Sequence, residues 1–331
     1  MKYLIYLFIK VMKKMGIMKV RLYGTSYFDL HKNKKYIKYL NKAFKKYGVN
    51  NPISRLSDYE HFNILEKVEK QIAKDFGCED ACLFSSGYLS CVCMKNHILN
   101  DAKVYKSDIV YNRNFHPSWI DEKMIKISKN NINKKNIFMS NSLNSFYGKK
   151  EDYKKYIIKF RKIAIDVSHT AYIFNHKKEA KKNVLFFGSL NKAPSFPAGF
   201  IAGNFNNIKK IRKLAEYTTS TPPSVAFASV FLKMKDIRKK QLKRLKDNIK
   251  FMDKLMKKKN SIFSIYNIGK NNYKLYNKFR KYNLEISYMA YPFNHSDKYL
   301  RIILNSNTSK KDLLKIKNML GKIKDKQYSI T

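Results

Sequence analysis

The chain has 331 residues, of which 44% are hydrophobic and 14% aromatic, so it can bury one large core or two smaller ones. This composition argues against a wholly disordered protein, and because no run of 18 apolar residues occurs, we predict no membrane-spanning helix. The formal net charge of +45 is extreme and, taken alone, indicates a nucleic-acid-binding protein.

The charge comes mainly from lysine, since the chain has 60 lysines and nine arginines, and the lysines are spread along its whole length. Asn, Ile, Tyr and Phe are also abundant, a joint bias that an AT-rich coding sequence would produce. Recognition of phosphates and bases favours the planar guanidinium of Arg. We therefore attribute the charge to a solvated surface and keep nucleic-acid binding as an alternative of a different class. An acidic carrier or a phosphorylated substrate would also be steered by this charge.

Four cysteines fall within one short apolar stretch, at positions 78, 82, 91 and 93. Their spacing, C-x3-C-x8-C-x-C, differs from the C-x2-C or C-x4-C pairs of zinc sites. We interpret them as small core residues and predict no metal site. The short apolar run at residues 4–9 lacks a small-residue cleavage site, so we expect no signal peptide, and the few cysteines then indicate a reducing cytoplasm.

Hydrophobic periodicity predicts that helices and strands alternate in the first two thirds of the chain. The predicted helices cover 32–47, 61–76 and 89–99, and the predicted strands lie in ACLFSSGY and over 134–139, 161–166, 183–187 and 198–203. In the first helix, Ile37, Leu40, Ala43 and Phe44 recur on one face. Strands that alternate with helices predict a mainly parallel sheet with helices on both faces.

The character of the sequence changes after Pro223. A long Lys-rich helix is predicted over 224–259, then three short strands in SIFSIYNI, LEISYMAY and YLRIIL, and a last helix over 309–325. This pattern indicates a smaller α+β domain. The predicted division is an N-terminal segment at 1–48, a large domain at 49–215 and a small domain at 216–331.

Two charged residues stand beside predicted strands of the sheet. Asp166 ends the strand RKIAID, where open α/β sheets bind their ligands, although an Asp at a strand end can also simply cap the next turn. Lys192 follows a buried strand within GSLNKAP, among small residues that leave room for a flat ligand. A lysine in a low-dielectric site can lose its proton and form a Schiff base.

A strand–turn–helix with Ser-Ser-Gly at the turn lies upstream, in FSSGYLS (84–90). Backbone amides at a helix N-terminus, next to a Gly87 that lacks a Cβ, can bind an anion, although an ordinary tight turn would have the same sequence. His116 follows in NRNFHPSWI, a segment without the period of a helix or a strand.

In this order, the segments resemble the pyridoxal-phosphate (PLP) enzymes of fold type I and, within them, the α-oxoamine synthases, over about residues 22–320. The matching segments are YGTSYFDL, KKYGVNNPISRL, FSSGYLS, FHPSWI, NSFYG, DVSHTA, GSLNKA, TTSTPPSVA and LRIILNSNTSKKDL. The resemblance implies an α/β protein whose mainly parallel central sheet lies between helices, with a smaller α+β C-terminal domain. It also implies a PLP-dependent acyltransferase that condenses an amino acid with an acyl thioester and releases CO2.

The resemblance implies a role for each matching residue. Lys192 would carry PLP as a Schiff base and act as acid and base, and His116 would stack on the ring. The ring would be held by Asp166 at its nitrogen, His169 at its phenolic oxygen and Ser145 nearby. Its phosphate would be bound by Gly87, Tyr88 and Ser189, and by Thr219 of the neighbouring subunit of a homodimer. Arg301 would bind the carboxylate of the amino-acid substrate.

The sequence departs from the family pattern mainly on the substrate side. The residues that differ from the family motifs are Thr25, Val167, Tyr172, Asn191 and Asn307. We expect alanine and a pimeloyl thioester as substrates, carried by coenzyme A or by a carrier protein. Acetyl transfer to glycine, formation of a sphingoid base and transamination on the same scaffold are the alternatives, and a nucleic-acid-binding protein that has lost catalysis is the alternative of another class.

Overall fold

The computed structural model describes residues 20–49, 53–116, 119–256, 263–290 and 296–324. The strands in these ranges are β1 (Val20–Leu22), β2 (Asp80–Phe84), β3 (Ile109–Tyr111), β4 (Met124–Lys126), β5 (Ile137–Asn141), β6 (Leu143–Asn144), β7 (Lys149–Lys150), β8 (Lys162–Asp166), β9 (Val184–Ser189), β10 (Gly199–Gly203), β11 (Ile265–Lys270), β12 (Leu284–Ala290) and β13 (Lys298–Ile303). The α-helices are α1 (Lys34–Tyr47), α2 (Phe62–Phe76), α3 (Gly87–Tyr105), α4 (Phe205–Ile211), α5 (Ala215–Thr218), α6 (Val225–Lys233), α7 (Lys235–Met256), α8 (Tyr273–Lys281) and α9 (Lys310–Lys324).

The chain divides into two compact units. The large unit comprises residues 28–144 and 150–242, and the small unit comprises the residues up to Tyr27, residues 145–149 and the chain from Lys243 onward. Both units are assembled from separate stretches of sequence. The three consecutive domains that the sequence suggests, at 1–48, 49–215 and 216–331, stay a prediction.

The large unit is built on a seven-stranded sheet with the order β2-β10-β9-β8-β5-β3-β4. Strand β10 runs antiparallel to both of its neighbours, and the pairs from β9 to β4 are parallel. This arrangement confirms the predicted, mainly parallel sheet. Because β5, β8 and β9 are parallel neighbours, their carboxyl ends lie side by side at one edge of the sheet.

Both faces of this sheet are buried, as its uninterrupted apolar strands require. Alternate residues of β8 belong to different hydrophobic clusters, with Ile163 and Ile165 in one and Ala164 in the other. The first cluster includes Val68 of α2, and the second includes Met94 of α3. Helices therefore cover both faces, as the alternation of strands and helices predicts.

Two details of the predicted helices are corrected by the structure. Ile37, placed on the apolar face of α1, is 41% exposed, and the buried residues of this helix are Tyr36 and Ala43. The long helix predicted over 224–259 is interrupted at Met234, which separates α6 from α7. Residues 257–259 of that prediction lie outside the described ranges.

The small unit contains a four-stranded sheet with the order β1-β12-β13-β11. Strand β1 is parallel to β12, whereas β13 is antiparallel to both of its neighbours. Apolar residues of α8 and α9, such as Phe279 and Leu313, pack with strand residues in one cluster. This unit confirms the expected smaller α+β part of the fold.

The remaining predictions concern cysteines, metals and membranes. Cys82, Cys91 and Cys93 are buried and Cys78 is half-buried, and all four thiols are free. In the part of the chain that the structure describes, no group of three or more His, Cys, Asp or Glu could hold a metal ion. No helix within those ranges has the length and apolarity needed to cross a membrane. The apolar run at residues 4–9 lies outside them, and the cytoplasmic location stays a prediction.

Candidate active site

The carboxyl end of β8 places a carboxylate at the edge of the large sheet. Asp166 is the last residue of the strand and pairs in register with Asn141 of β5 and Phe187 of β9. Its Oδ1 atom accepts a hydrogen bond from the backbone N–H of Ser168 at 2.8 Å. Such a bond two residues along the chain forms a tight local turn, which fixes the direction of the carboxylate.

A glycine beside this carboxylate keeps the space around it open. Gly188 of β9 has a φ of +140°, and a Cβ there would come within 3.0 Å of Asp166 Oδ1 and against the Oγ of Ser168. The same Oγ accepts a hydrogen bond from the N–H of Ser189 at 3.0 Å. Ser168 therefore ties the end of β9 to the turn that carries Asp166.

The second element of the site is the N-terminus of α3. The Oγ of Ser86 accepts a hydrogen bond from the N–H of Leu89 at 3.1 Å and so caps the helix. Gly87 and Tyr88 open the helix, where backbone N–H groups have no intrahelical acceptor. A Cβ on Gly87 would overlap Ser189, so a side chain there would displace Ser189 from this turn.

The charges of Lys192 and Asp166 both act on His116. Burial lowers the pKa of His116, the Asp166 carboxylate acts to raise it, and the Lys192 ammonium acts to lower it further. Burial raises the pKa of Cys91 well above its usual value, and the same two charges act on this thiol. The structure thus brings the predicted amine, carboxylate and imidazole together in one unit.

An aromatic group lies on the outer side of this cluster. The ring of Trp119 is 6.1 Å from that of His116 and 5.3 Å from that of Tyr88. Tyr88 is 69% exposed, so the group reaches the surface at the helix N-terminus. Flat rings next to backbone amides are suited to a flat, anionic ligand.

Other predicted residues have different surroundings. His169 is half-buried in the turn that follows β8. Thr219 is exposed, and its hydroxyl donates a hydrogen bond to the carbonyl of Ala215 at 2.7 Å. Ser145 and Arg301 belong to the small unit, where Arg301 Nη1 donates a hydrogen bond to the carbonyl of Ser145 at 2.8 Å.

Sequence reasoning missed three residues of this region. Ser86 and Ser168 fix the helix cap and the Asp166 turn, and both could have been found, since serine is a preferred cap and turn residue. Asn141 pairs with Asp166 in the sheet, and its buried Oδ1 has no hydrogen-bond partner among the described residues. A buried acceptor of this kind indicates that a further donor belongs at the site.

The site fits PLP, as judged by its donors and its shape. A carboxylate suits a protonated ring nitrogen, an amine suits an aldehyde, and the glycine turn with its helix N-terminus suits a phosphate. The residues that would hold these groups are Asp166, Lys192, Gly87, Tyr88 and Ser189.

The arrangement of the sheet and its helices is that of the PLP-transferase fold of type I. Serine palmitoyltransferase of Sphingomonas wittichii has the same fold, with a TM-score of 0.76, 15% identity, and coverage of 92% of this chain and 86% of that one. The 8-amino-7-oxononanoate synthase of Francisella tularensis superposes with a TM-score of 0.72 at 16% identity, over 93% and 98% of the two chains.

A curated relative adds a similarity in sequence. It is a protein of Trichodesmium erythraeum (strain IMS101) that bears the name 8-amino-7-oxononanoate synthase and is 25% identical, over 71% of this chain and 67% of its own length. No family model matches the chain. The resemblance to the α-oxoamine synthases is confirmed by these similarities.

Proposed function

We propose that the chain is a PLP-dependent acyltransferase of the α-oxoamine synthase type, which joins an amino acid to an acyl thioester with loss of CO2. The observation that carries this proposal is the convergence of Lys192, Asp166 and the Gly87 turn at the carboxyl edge of one sheet. This is the edge at which open α/β sheets bind ligands.

Each residue has a task that its surroundings support. Lys192 binds the cofactor covalently and moves a proton at the α-carbon of the amino acid. Asp166 holds a proton on the ring nitrogen, and the bond from Ser168 keeps its carboxylate directed. His116 stacks on the ring face, and His169 binds the phenolic oxygen. When bound, PLP supplies an electron sink for the carbanion at the α-carbon.

The phosphate of the cofactor is bound by the amides of Gly87 and Tyr88 and by Ser189. The partial positive charge at a helix N-terminus favours an anion there. Thr219 is exposed at the end of α5, which suits a contact with the phosphate of a second subunit. The protein would then act as a homodimer.

Arg301 is proposed to bind the substrate carboxylate, with Ser145 close to the ring. The guanidinium is held within the small unit by the carbonyl of Ser145 and by the Oγ of Ser287, at 2.8 and 3.4 Å, and lies 5.8 Å from the ring of Phe146. A side chain that is held in place in this way loses little entropy when it binds a carboxylate in two-point fashion.

The proposed substrates are alanine and a pimeloyl thioester, which would place the chain in biotin synthesis. The name of the Trichodesmium relative supports this choice. Glycine with an acetyl thioester and serine with a palmitoyl thioester are the alternatives, and the structural similarity to serine palmitoyltransferase favours the latter of the two.

The test begins with the colour and spectrum of the purified protein. We expect the wild-type chain to bind PLP with a visible absorption band that Lys192→Ala abolishes and that Lys213→Ala, at an exposed position, leaves unchanged. Alanine, glycine and serine are then added singly, and CO2 release is measured with each acyl thioester. A keto-acid product would indicate an aminotransferase, and a colourless protein that shifts DNA at physiological salt would overturn the proposal.

A further inference from the structure

A hydrogen-bonded series of buried polar residues leads from the interior of the large unit to the carboxyl end of β8. Its members are Glu179, His176, Thr170 and Ser142, with exposed fractions of 3%, 2%, 0% and 0%. None of them belongs to the cofactor set described above. Buried polar groups of this kind need partners, because an unpaired one costs the full loss of hydration.

Successive members are within hydrogen-bond distance of each other. His176 lies 3.0 Å from Glu179 through Nδ1 and 3.1 Å from Thr170 Oγ1 through Nε2. Thr170 Oγ1 lies 2.6 Å from Ser142 Oγ. Ser142 donates two hydrogen bonds to the carbonyl oxygen of Asp166, from its N–H at 2.8 Å and from its Oγ at 3.0 Å. This hydrogen-bonded series therefore ends at the backbone carbonyl of Asp166, the residue whose carboxylate is proposed to act in the site.

The end of this hydrogen-bonded series that is farthest from β8 is a charged group, Glu179. Glu179 accepts a hydrogen bond from Tyr153 and lies 2.6 Å from the Nζ of Lys154. Burial alone would raise the pKa of Glu179, but the hydrogen bonds from His176, Lys154 and Tyr153 lower it to about 2. Glu179 is thus ionised at neutral pH and holds the Nδ1 side of the His176 ring.

The histidine is also fixed by packing. The ring of Phe76 is stacked on His176, with 5.6 Å between centroids and 1° between planes. With its plane set by Phe76 and its Nδ1 held by Glu179, the imidazole presents Nε2 to Thr170 in one orientation. The hydrogen-bonded series is therefore a rigid support, which contacts β8 at Asp166, the last residue of the strand.

We propose that Glu179, His176 and Thr170 are positioning residues that hold the main chain of Asp166, and through it the carboxylate, where it keeps the ring nitrogen of PLP protonated. The inference rests on the proposed function, since it gives these residues a role in cofactor binding. Outer residues that orient a ligating group commonly change affinity about 10- to 100-fold when they are removed.

The test compares two ligands that differ only at the atom that Asp166 would bind. Thr170→Val removes the central hydroxyl at almost constant volume, and Ser229→Ala is the matched control, because its buried hydroxyl donates a hydrogen bond to the carbonyl of Ala226 in its own helix. Dissociation constants are measured for PLP and for 1-deazapyridoxal phosphate, in which carbon replaces the ring nitrogen. We expect Thr170→Val to weaken PLP binding about tenfold and to leave binding of the deaza compound unchanged, while Ser229→Ala changes neither.

A double mutant provides the second readout. In an Asp166→Asn background, Thr170→Val should weaken PLP binding no further, because its effect acts through the carboxylate. If Thr170→Val does not fold, Ser142→Ala replaces it, since it removes the hydroxyl link and keeps the backbone bond to Asp166. Equal loss of affinity for both ligands, no loss for either, or additive effects in the double mutant would overturn the positioning role alone. A wild-type chain that binds no PLP would overturn the proposed function as well.

Discussion

A carboxylate, a lysine and a histidine lie at each end of strand β8, yet the two clusters differ in burial and in organisation, since Asp101 at the amino end is buried and Asp166 at the carboxyl end is half-buried. At the amino end, Lys162 Nζ lies 3.0 Å from Asp101 Oδ2 and 2.8 Å from Asn207 Oδ1, and His97 Nε2 lies 3.2 Å from the same Asn207 oxygen. Arg161 binds Asp101 as well, at 2.9 Å. The polar groups of this cluster bind one another.

The cluster at the carboxyl end is open by comparison. Asp166 is held by a backbone amide, Gly188 keeps a side chain away from it, and Asn141 retains a buried oxygen without a partner among the described residues. Burial lowers the pKa of a histidine at both ends, namely His97 and His116. A perturbed pKa therefore does not distinguish the structural cluster from the proposed active site, and neither does an unmet hydrogen bond, because the buried Nε of Arg161 at the amino end also has no partner among the described residues. The position at the carboxyl ends of the parallel strands does distinguish them.

The largest effect on stability is expected at the amino end. Asp101→Asn removes the charge that pairs with Lys162 and Arg161, and the side chains of Asp101 and Lys162 are only 5% and 9% exposed. Breaking a buried ion pair from one side costs about 3–5 kcal/mol. We expect urea denaturation to show a loss of about 3 kcal/mol, with unchanged PLP affinity. A marked fall in PLP affinity of the folded variant would mean that the two ends are not separate in function.

For Asp166→Asn, at the carboxyl end of β8, we expect a loss of PLP affinity and little change in stability. This variant removes the charge from a hydrogen bond that contributes about 1.5–3 kcal/mol, so PLP affinity should fall about 10- to 100-fold. The free energy of unfolding of the cofactor-free protein should change little, because an amide oxygen can still accept the bond from Ser168. Titration of the cofactor-free protein with PLP measures the first effect, and urea denaturation measures the second. A loss of stability like that of Asp101→Asn would place Asp166 among the structural residues.

The sequence predicted the elements that build both ends of β8, because they are long and strongly patterned. Strands β8, β9 and β10 and helix α2 fall within a few residues of their predicted positions. Strands β3 and β4 were missed, since three residues are too few for a period to be seen. The burial predicted for Ile37 is wrong for a different reason, because its neighbour Tyr36 takes the buried position on the helix instead.

For the site, the sequence could predict which residues carry chemistry but not what holds them. Asp166 and Lys192 follow from strand ends and from motif order. The buried hydrogen-bonded series from Glu179 to Ser142 joins three separate segments of sequence, at residues 142, 170 and 176–179. No local sequence pattern connects these segments. Its histidine lies only ten residues after Asp166 in the sequence, yet its link to the strand becomes visible only in the fold.

A smaller effect on PLP affinity is expected when an alanine replaces a glycine, and it should differ between Gly87 and Gly203, which lie at opposite edges of the large sheet. A Cβ on Gly87 would meet the main chain and side chain of Ser189, whereas a Cβ on Gly203, at the other end of β10, would meet the flexible tip of Leu185. We expect Gly87→Ala to weaken PLP binding about tenfold, or about 1.4 kcal/mol, and to leave the weaker binding of pyridoxal unchanged. Gly203→Ala should leave both affinities unchanged. Equal behaviour of the two variants would contradict a phosphate site at the turn.

The last expected effect is a pH dependence of stability that arises at the amino end of β8. Burial, the largest cause, and the Lys162 ammonium lower the pKa of His97 from 6.5 to about 4. Between these values the unfolded chain binds a proton at this residue and the folded chain does not. The free energy of unfolding should therefore fall as the pH is lowered from 6.5 toward 4, by at most about 1.4 kcal/mol per pH unit.

The contribution of His97 is isolated by comparison with His97→Gln. In this variant the free energy of unfolding should change less with pH over the same range. The carboxyl groups are the same in both proteins, so their titration cancels and the difference between the two curves belongs to the histidine. His116 also has a lowered pKa, but it is present in both proteins and cancels. The pH profile of the proposed activity should be the same for both proteins. A changed profile would show that a cluster whose polar groups bind one another still acts on the chemistry at the opposite end of the strand.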